Sequence, residues 1–407
     1  MANKFDKSKF LIGAYFFNKE IYDDVHMKEL ADCGVDFLVA VDNDPALAEL
    51  CKKYGIGIIA HNNIPGWWGG NGDNAGQYGK NLPLEKFDEI QKNYKPDDII
   101  WGDYIVDEPN SKDFKHINEV CKKYREIYPG KLDFVNLYPN YASVPTNNDE
   151  ETISQLGNKT YEEHIAQYVR DIDLNYICYD FYPYTGRPYD TYLENFDITA
   201  KACRRSNRDL WLIIQSGAWK KEDILDEYQI LWQVNLCLAY GTSVIMHASY
   251  CKGWWDETTS CVDLKGEKNV TYYYVQRINK YLHEFGPQLL NYRNTAVYVN
   301  GDISKSHIKI RPQLLKQNND IGEDIIDTDI VINADGAVLT GYFIGNTNNK
   351  KAVLLVNTND PFNKDDVVNV NVSFKNNTVP VLYINGNQSQ YTNSMTIKSG
   401  ESVFIVY

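Results

Sequence analysis

Over its first 290 residues this chain alternates short apolar runs with segments of helical period, and it does so eight times. The apolar runs fall at Phe10–Phe17, Asp36–Val41, Gly57–Asn62, Ile99–Val106, Leu132–Tyr138, Tyr176–Tyr182, Leu210–Gln215 and Ser243–Ser249. Between them the pattern changes to one apolar face per helical turn. Phe114, Ile117, Cys121, Tyr124 and Tyr128, for example, recur at three- and four-residue spacing. Gly34, Gly55, Gly130 and Gly241 come after helical runs, where a left-handed C-cap residue is wanted. Most of the apolar runs are nearly continuous, as in a parallel sheet covered on both faces. Eight strand–helix units at this length predict a (β/α)₈ TIM barrel, for which about 250 residues is typical. A doubly wound open sheet fits less well, because no glycine-rich phosphate loop comes after the first strand.

Near Asn291 the texture changes. Strand-length runs at Ala296–Val299, Ile308–Arg311, Val338–Ile344, Lys351–Asn357, Val367–Phe374, Val379–Ile384 and Ser402–Tyr407 are separated by polar turns. Ala334-Asp-Gly, Ile384-Asn-Gly and Lys398-Ser-Gly-Glu carry hairpin chemistry. A chain of 407 residues exceeds what one small core organises. The expectation is therefore an α/β chain: a catalytic barrel over 1–290, then a smaller all-β antiparallel sandwich over 291–407. The polar stretch Lys316–Asp327 is expected to loop out.

Bulk chemistry narrows the function. A net charge of −14 and a pI near 5.0 argue against nucleic acid or an anionic membrane as partner. They suit a neutral or cationic ligand better than a polyphosphate. No apolar run approaches the ~20 residues of a membrane span. The opening Met1-Ala-Asn-Lys-Phe-Asp-Lys lacks the apolar core of a secretory signal. The chain as given is expected to be cytoplasmic, or secreted if a signal has been removed. Its eight cysteines show no CxxC pair or zinc-type spacing, so a reduced state is expected, with a Cys251–Cys261 bridge left open. The 31 Tyr and 8 Trp residues suit sugar-binding platforms, although such rings also fill ordinary cores.

In a barrel, the residues at the C-terminal ends of all the strands share one pocket. Here the strand ends offer Tyr15, Asp42, His61 and the Trp67-Trp68 pair, then Asp107-Glu108, Asn136 and Tyr138. Further on come Asp180, Tyr182, Gln215, Trp219, His247, Trp254 and Trp255. Amides and carboxylates bind sugar hydroxyls, and indole rings stack on pyranose faces. We assign substrate binding to Tyr15, Asp42, His61, Trp67, Asn136, Tyr138, Tyr182, Gln215, His247 and Trp254. Catalysis is assigned to Glu108, Asp107 and Asp180. The fourth apolar run enters Asp107-Glu108-Pro109, and residues before proline are kept out of the helical region. A turn there would let both acids address one pocket; otherwise neighbouring side chains diverge. Glycoside hydrolysis needs a carboxylic acid to protonate the leaving oxygen, and Glu108 is the candidate. The plainer reading of Glu108 is a helix-capping residue. At the end of the seventh strand stands Gln215 instead of a second acid.

Asp107-Glu108-Pro109 resembles the Asp-Glu pair of substrate-assisted retaining hexosaminidases. It is similar to the Asp-Glu-Pro of the β-N-acetylgalactosaminidase family, which joins a β-sandwich to a barrel, although there the sandwich is expected ahead of the barrel. The resemblance implies that Glu108 is the general acid/base and that Asp107 orients the substrate's 2-acetamido group, whose carbonyl oxygen is the nucleophile. It also implies that a tyrosine such as Tyr182 binds the acetamido oxygen and that tryptophans wall in its methyl. A strand seven without a carboxylate then needs no further explanation. The competing scheme sets Asp180 opposite Glu108 as nucleophile or base.

The expected partner is an oligosaccharide or glycoconjugate, with no metal and no cofactor. His61 and His247 lack the neighbours of a metal motif, and Ser216-Gly lacks the Gly-x-Ser-x-Gly frame of a nucleophile elbow. A carbohydrate-binding barrel without hydrolysis and a sugar esterase or deacetylase are the rival functions.

Overall fold

A computed structural model describes residues 5–64, 68–69, 75–145, 154–186, 189–308, 329–348, 350–375 and 379–407. Strands and helices alternate through the first part: β1 (Leu11–Tyr15), α1 (Asp24–Asp32), β2 (Phe37–Val41), α2 (Pro45–Tyr54), β3 (Gly57–Ala60), α3 (Tyr78–Asn81), α4 (Leu84–Gln91), β4 (Ile100–Asp107), α5 (Phe114–Ile127), β5 (Leu132–Asn136), α6 (Tyr161–Asp171), β6 (Tyr176–Phe181), α7 (Tyr192–Ser206), β7 (Asp209–Gln215), α8 (Glu227–Ala239), β8 (Thr242–Ala248) and α9 (Val270–Leu289). The eight strands pair in parallel in the order β5-β4-β3-β2-β1-β8-β7-β6. A parallel bridge between Leu137 and Tyr179 joins β5 to β6, with Leu137 N donating to the Cys178 carbonyl at 2.9 Å. This is the expected (β/α)₈ barrel, with strand boundaries within two residues of those read from hydropathy.

Local signals set the helices. Asp44 caps α2 by accepting from Ala46 N at 2.8 Å, with Pro45 at the first helical position. Thr160 does the same for α6 through Glu163 N at 3.1 Å. The base of the barrel is filled by rings. Tyr176 and Trp211 stack at 3.9 Å, and Phe5 lies at 5.0 Å from Trp211. Buried aromatic area on this scale makes the barrel a packed core and not a pore.

The later strands are β9 (Tyr292–Gly301), β10 (Ile330–Ala334), β11 (Ala337–Gly345), β12 (Lys351–Asn357), β13 (Val367–Phe374), β14 (Val381–Ile384), β15 (Asn387–Ser389), β16 (Ser394–Lys398) and β17 (Ser402–Val406). They form antiparallel sheets of order β10-β13-β16 and β15-β14-β17-β12-β11-β9 around a second core that includes Val338, Tyr342, Val353 and Ile405. The sandwich expected after the barrel is present. Three of its strands escaped the hydropathy reading: β15 has no apolar residue, β16 has two apolar residues in five, and β10 is a short, mostly apolar run of five residues. Ile308 lies outside any strand, and 309–311 and 316–327 fall outside the described residues.

Helix α8 explains how the two parts join. Nine of its residues are buried, including polar Gln233 and Asn235, so it lacks a solvent face. One side covers β7 through Gln233, which bonds the Gln215 backbone; on the other, Asn235 Nδ2 donates to Gly400 O at 2.6 Å. Asn294 Nδ2 of β9 caps the helix by donating to Ala239 O at 3.0 Å. All eight cysteines are buried and unpaired. Cys251 donates to Asp263 O at 3.4 Å, and no Cys251–Cys261 bridge forms. Among the described residues no helix is long and apolar enough to cross a membrane.

Candidate active site

Asp107 reaches the barrel interior through a slip in the sheet. Strand β4 pairs Tyr104 with Phe134 but Val106 with Val135, so one extra residue is inserted and the alternation of faces resets. Tyr104 and Asp107, three residues apart, thereby share the inner face. The Tyr104 hydroxyl donates to Asp107 Oδ1 at 2.8 Å. With its one proton committed there, Tyr104 accepts from the Tyr15 hydroxyl across the barrel at 3.0 Å. Asn136, buried at the end of β5, bridges two acids: its Nδ2 donates to Asp107 Oδ1 at 3.1 Å and to Asp180 Oδ1 at 2.8 Å.

Glu108 turns toward the same pocket because its backbone enters the left-handed region, with φ of +46°. Hydrogen bonds hold that conformation. Glu108 N donates to Asn136 O at 2.9 Å, Trp68 forms a parallel bridge with Asp107, and Gly69 N donates to Asp107 O at 2.8 Å. The Glu108 carboxyl lies between two partners. Trp68 Nε1 donates to Oε2 at 2.5 Å, and Asp180 is hydrogen-bonded to the same carboxyl. Tyr182 also bonds Asp180.

Three carboxyl groups in so small a space cannot all ionise at ordinary pH. Burial, then the charges of Asp180 and Asp107, push Glu108 well above the usual carboxylate range; the Trp68 N–H opposes this without overturning it. Burial and Asp107 raise Asp180 to about 7. Burial also raises Asp107, against the bonds from Asn136 and Tyr104. Burial and the two neighbouring acids thus favour the protonated form of Glu108.

The crowding of acids has a pH signature. Asp180→Asn removes a negative charge beside Glu108, so the alkaline limb of kcat/KM should move down by roughly one pH unit or more. The same substitution should change stability with the opposite emphasis. The native state keeps a proton on Asp180 that the unfolded chain releases near pH 4, so this group's contribution to stability falls between about pH 4 and about 7. The Asn variant should gain nothing in Tm below that window and most above it, measured by thermal unfolding across the pH range.

Around the carboxyls stand most of the residues named from sequence. His61 packs edge-on against Tyr104 at 5.8 Å, and Tyr138 lies within the electrostatic field of all three acids. Trp254 contacts Tyr15 at 6.3 Å and Tyr182 at 5.8 Å. Three named residues are not brought into this cluster. Asp42 is exposed on the outer rim near Lys19 and Tyr22. Gln215 is buried, and its amide is spent on Tyr184 N and Gly217 O. His247 points to the helix layer, where Nε2 meets Asn279 Oδ1 at 2.8 Å and burial lowers its pKa to about 4. Trp67 lies outside the described residues. Hydropathy missed Tyr104, which reads as one more apolar strand residue, and preferred Trp67 over Trp68 with no signal to separate them.

A cavity of about 970 Å³ opens at the opposite end of the barrel, lined by residues including Lys7, Arg204, Arg208, Tyr240 and Arg293. It lies where β7 and β8 begin and shares no residue with the carboxyl cluster. In this fold that end serves stability, and chemistry belongs to the other.

No protein-family model matches the chain, and no curated protein does. Among solved structures, a glucosidase from Croceicoccus marinus aligns with a TM-score of 0.43 at 8% identity, over 98% of this chain and 95% of that one. A putative α-L-fucosidase from Bacteroides thetaiotaomicron gives 0.44 at 13% identity, over 68% and 96%. An endo-1,4-β-mannanase from Rhizomucor miehei gives 0.44 at 10% identity, over 66% and 93%. Likenesses this distant decide nothing about chemistry.

Proposed function

We propose that the chain is a glycoside hydrolase cleaving O-glycosidic bonds of a neutral or N-acetylated sugar, with Glu108 as general acid/base. One observation carries this reading: the Glu108 carboxyl stands at the rim of the barrel against Asp180 and Asp107, and burial with these two acids raises it well above the usual carboxylate range, which favours the protonated form a general acid needs. Raising one carboxyl while others stay lower is how acid and base roles are divided in such hydrolases. The barrel expected over 1–290 holds the site, and the sandwich over 291–407 buttresses α8.

Substrate assistance is the favoured mechanism. Asp107 Oδ1 is occupied by Tyr104 and Asn136, while Oδ2 takes no hydrogen bond among the described residues. That oxygen suits an acetamido N–H. The acetamido carbonyl oxygen attacks C1 as the C1–O bond breaks, and Glu108 delivers its proton to the departing oxygen. The resulting carboxylate then takes a proton from the water that attacks C1, as the bond between C1 and the acetamido oxygen breaks and the acetamide is restored. Tyr182 is the hydroxyl assigned to the acetamido oxygen. An acid pair flanking a scissile bond is ~5 Å apart or more, whereas Glu108 and Asp180 bond each other directly. Asp180 as nucleophile or base is the second reading, since it is a carboxyl in direct contact with the acid.

A panel of aryl glycosides tests the activity itself, and a carbohydrate-binding barrel without hydrolysis would leave every member intact. An N-acetyl-thiazoline sugar separates the mechanisms, because it mimics the cyclised intermediate. Inhibition is expected, together with a kcat loss of about 10²-fold in Asp107→Asn on 2-acetamido substrates. No inhibition, with full activity on a 2-hydroxy sugar, would transfer the role to Asp180.

A further inference from the structure

Two tryptophans on the rim remain half in water: Trp68 and Trp219 are each 52% exposed. Large rings left uncovered beside a pocket mark a surface that a ligand covers. Their placement is informative. In the closed strand order, β3 and β7 stand four strands apart in either direction, so they are opposite poles of the barrel. Trp68 comes after β3 and Trp219 after β7. The carboxyls of β4 and β6 lie between them.

Trp219 is held in place by its neighbours. Its ring meets Trp255 edge-on at 4.8 Å. Trp255 is buried, donates from Nε1 to Ala248 O at 2.9 Å and packs against Tyr182 at 5.3 Å. Tyr182 in turn bonds Asp180. A series of ring contacts thus leads outward from the carboxyls through Tyr182 and Trp255 to an exposed indole. On the other side the Trp68 indole lies against the acid itself, where a leaving group must sit.

We infer that the site binds a glycan chain across the whole rim, with one sugar stacked on Trp219 beyond the cleaved residue and the leaving sugar against Trp68. Resting on the hydrolase reading above, this makes an oligosaccharide cut within its length the substrate. Trp219 is then a specificity residue: it contacts a distal sugar and takes no part in bond cleavage. A sugar face on an indole gains dispersion and apolar burial, and a ring placed beforehand loses little conformational entropy on binding.

The test compares wild type with Trp219→Ala and Trp219→Phe on an aryl monoglycoside and on a tetrasaccharide of the same sugar. Chitotetraose and cellotetraose serve as the N-acetylated and neutral probes. In wild type the tetrasaccharide should be preferred and should release oligosaccharides. Trp219→Ala should lose about tenfold in kcat/KM on the tetrasaccharide, through KM, and nothing on the aryl glycoside; Phe should recover part of the loss. Equal losses on both substrates, or no gain from chain length, would overturn the inference while leaving the hydrolase reading intact. If neither substrate is cleaved, titration with both tetrasaccharides decides. Binding that weakens in Trp219→Ala keeps the chain-binding cleft and removes the hydrolase. Absence of binding overturns both.

Discussion

Glu108→Gln is expected to lower kcat by roughly 10²- to 10⁴-fold on substrates whose leaving group is another sugar. The amide keeps the size of the acid and its contact with Trp68 Nε1, but it has no proton to give the departing oxygen. An aryl leaving group needs less protonation, so the loss on a nitrophenyl glycoside should be smaller. Substrate binding should persist, because the change falls on the transition state and not on the ground state. Folding should not suffer at neutral pH, since the fold no longer has to hold a proton on a carboxyl that the unfolded chain would release. Measuring kcat and KM on both leaving-group types, beside Tm at pH 7, checks all of this. Unchanged activity on a sugar leaving group would exclude Glu108 as the acid.

The second large effect is expected at a residue with no side chain. A Cβ on Gly69 would lie 1.9 Å from the Glu108 carbonyl oxygen and 2.8 Å from Pro109 Cα. Both are backbone atoms and cannot swing aside. Gly69→Ala should push the 68–69 segment off the strand end, breaking the Gly69 N to Asp107 O bond at 2.8 Å and moving the Trp68 indole away from Glu108. Overpacking of this kind costs about 1–3 kcal/mol, readable by urea unfolding. Activity should fall about 10²-fold, because a displacement near 1 Å at the reacting groups is enough for that. Wild-type kcat/KM in the alanine variant would show that this contact does not position the acid.

Much of the architecture is legible in the residues. Continuous apolar strands such as Phe37–Val41 and Leu210–Ile214 report burial on both faces, and helices between them report one buried face each. Counting these units places Asp107-Glu108 fourth, Asn136 fifth and Asp180 sixth, all at strand ends where a barrel gathers its chemistry. The sandwich was harder. Asn387–Ser389 has no apolar residue, and its pairing with Val381–Ile384 comes from backbone bonds to which any side chain is indifferent.

Within the site, the residue types and the strand ends that bear them came from the sequence alone; which atoms meet was decided by the tertiary structure. Strict alternation would send Tyr104 and Asp107 to opposite faces, and only the slip against β5 brings them together. Two adjacent tryptophans read alike until one of them pairs with the backbone of Asp107. His247 and Gln215 stand at rim positions by number, yet Asn279 takes His247 Nε2 and the backbone of Tyr184 and Gly217 takes the Gln215 amide. The physical reason is common to all four. Hydropathy periodicity is local, so it records which face of an element is buried. A register slip, a φ of +46° at Glu108 and a shared proton between carboxyls depend on distant strands meeting. Backbone bonds and desolvation set them, and neither leaves a periodic trace in the chain.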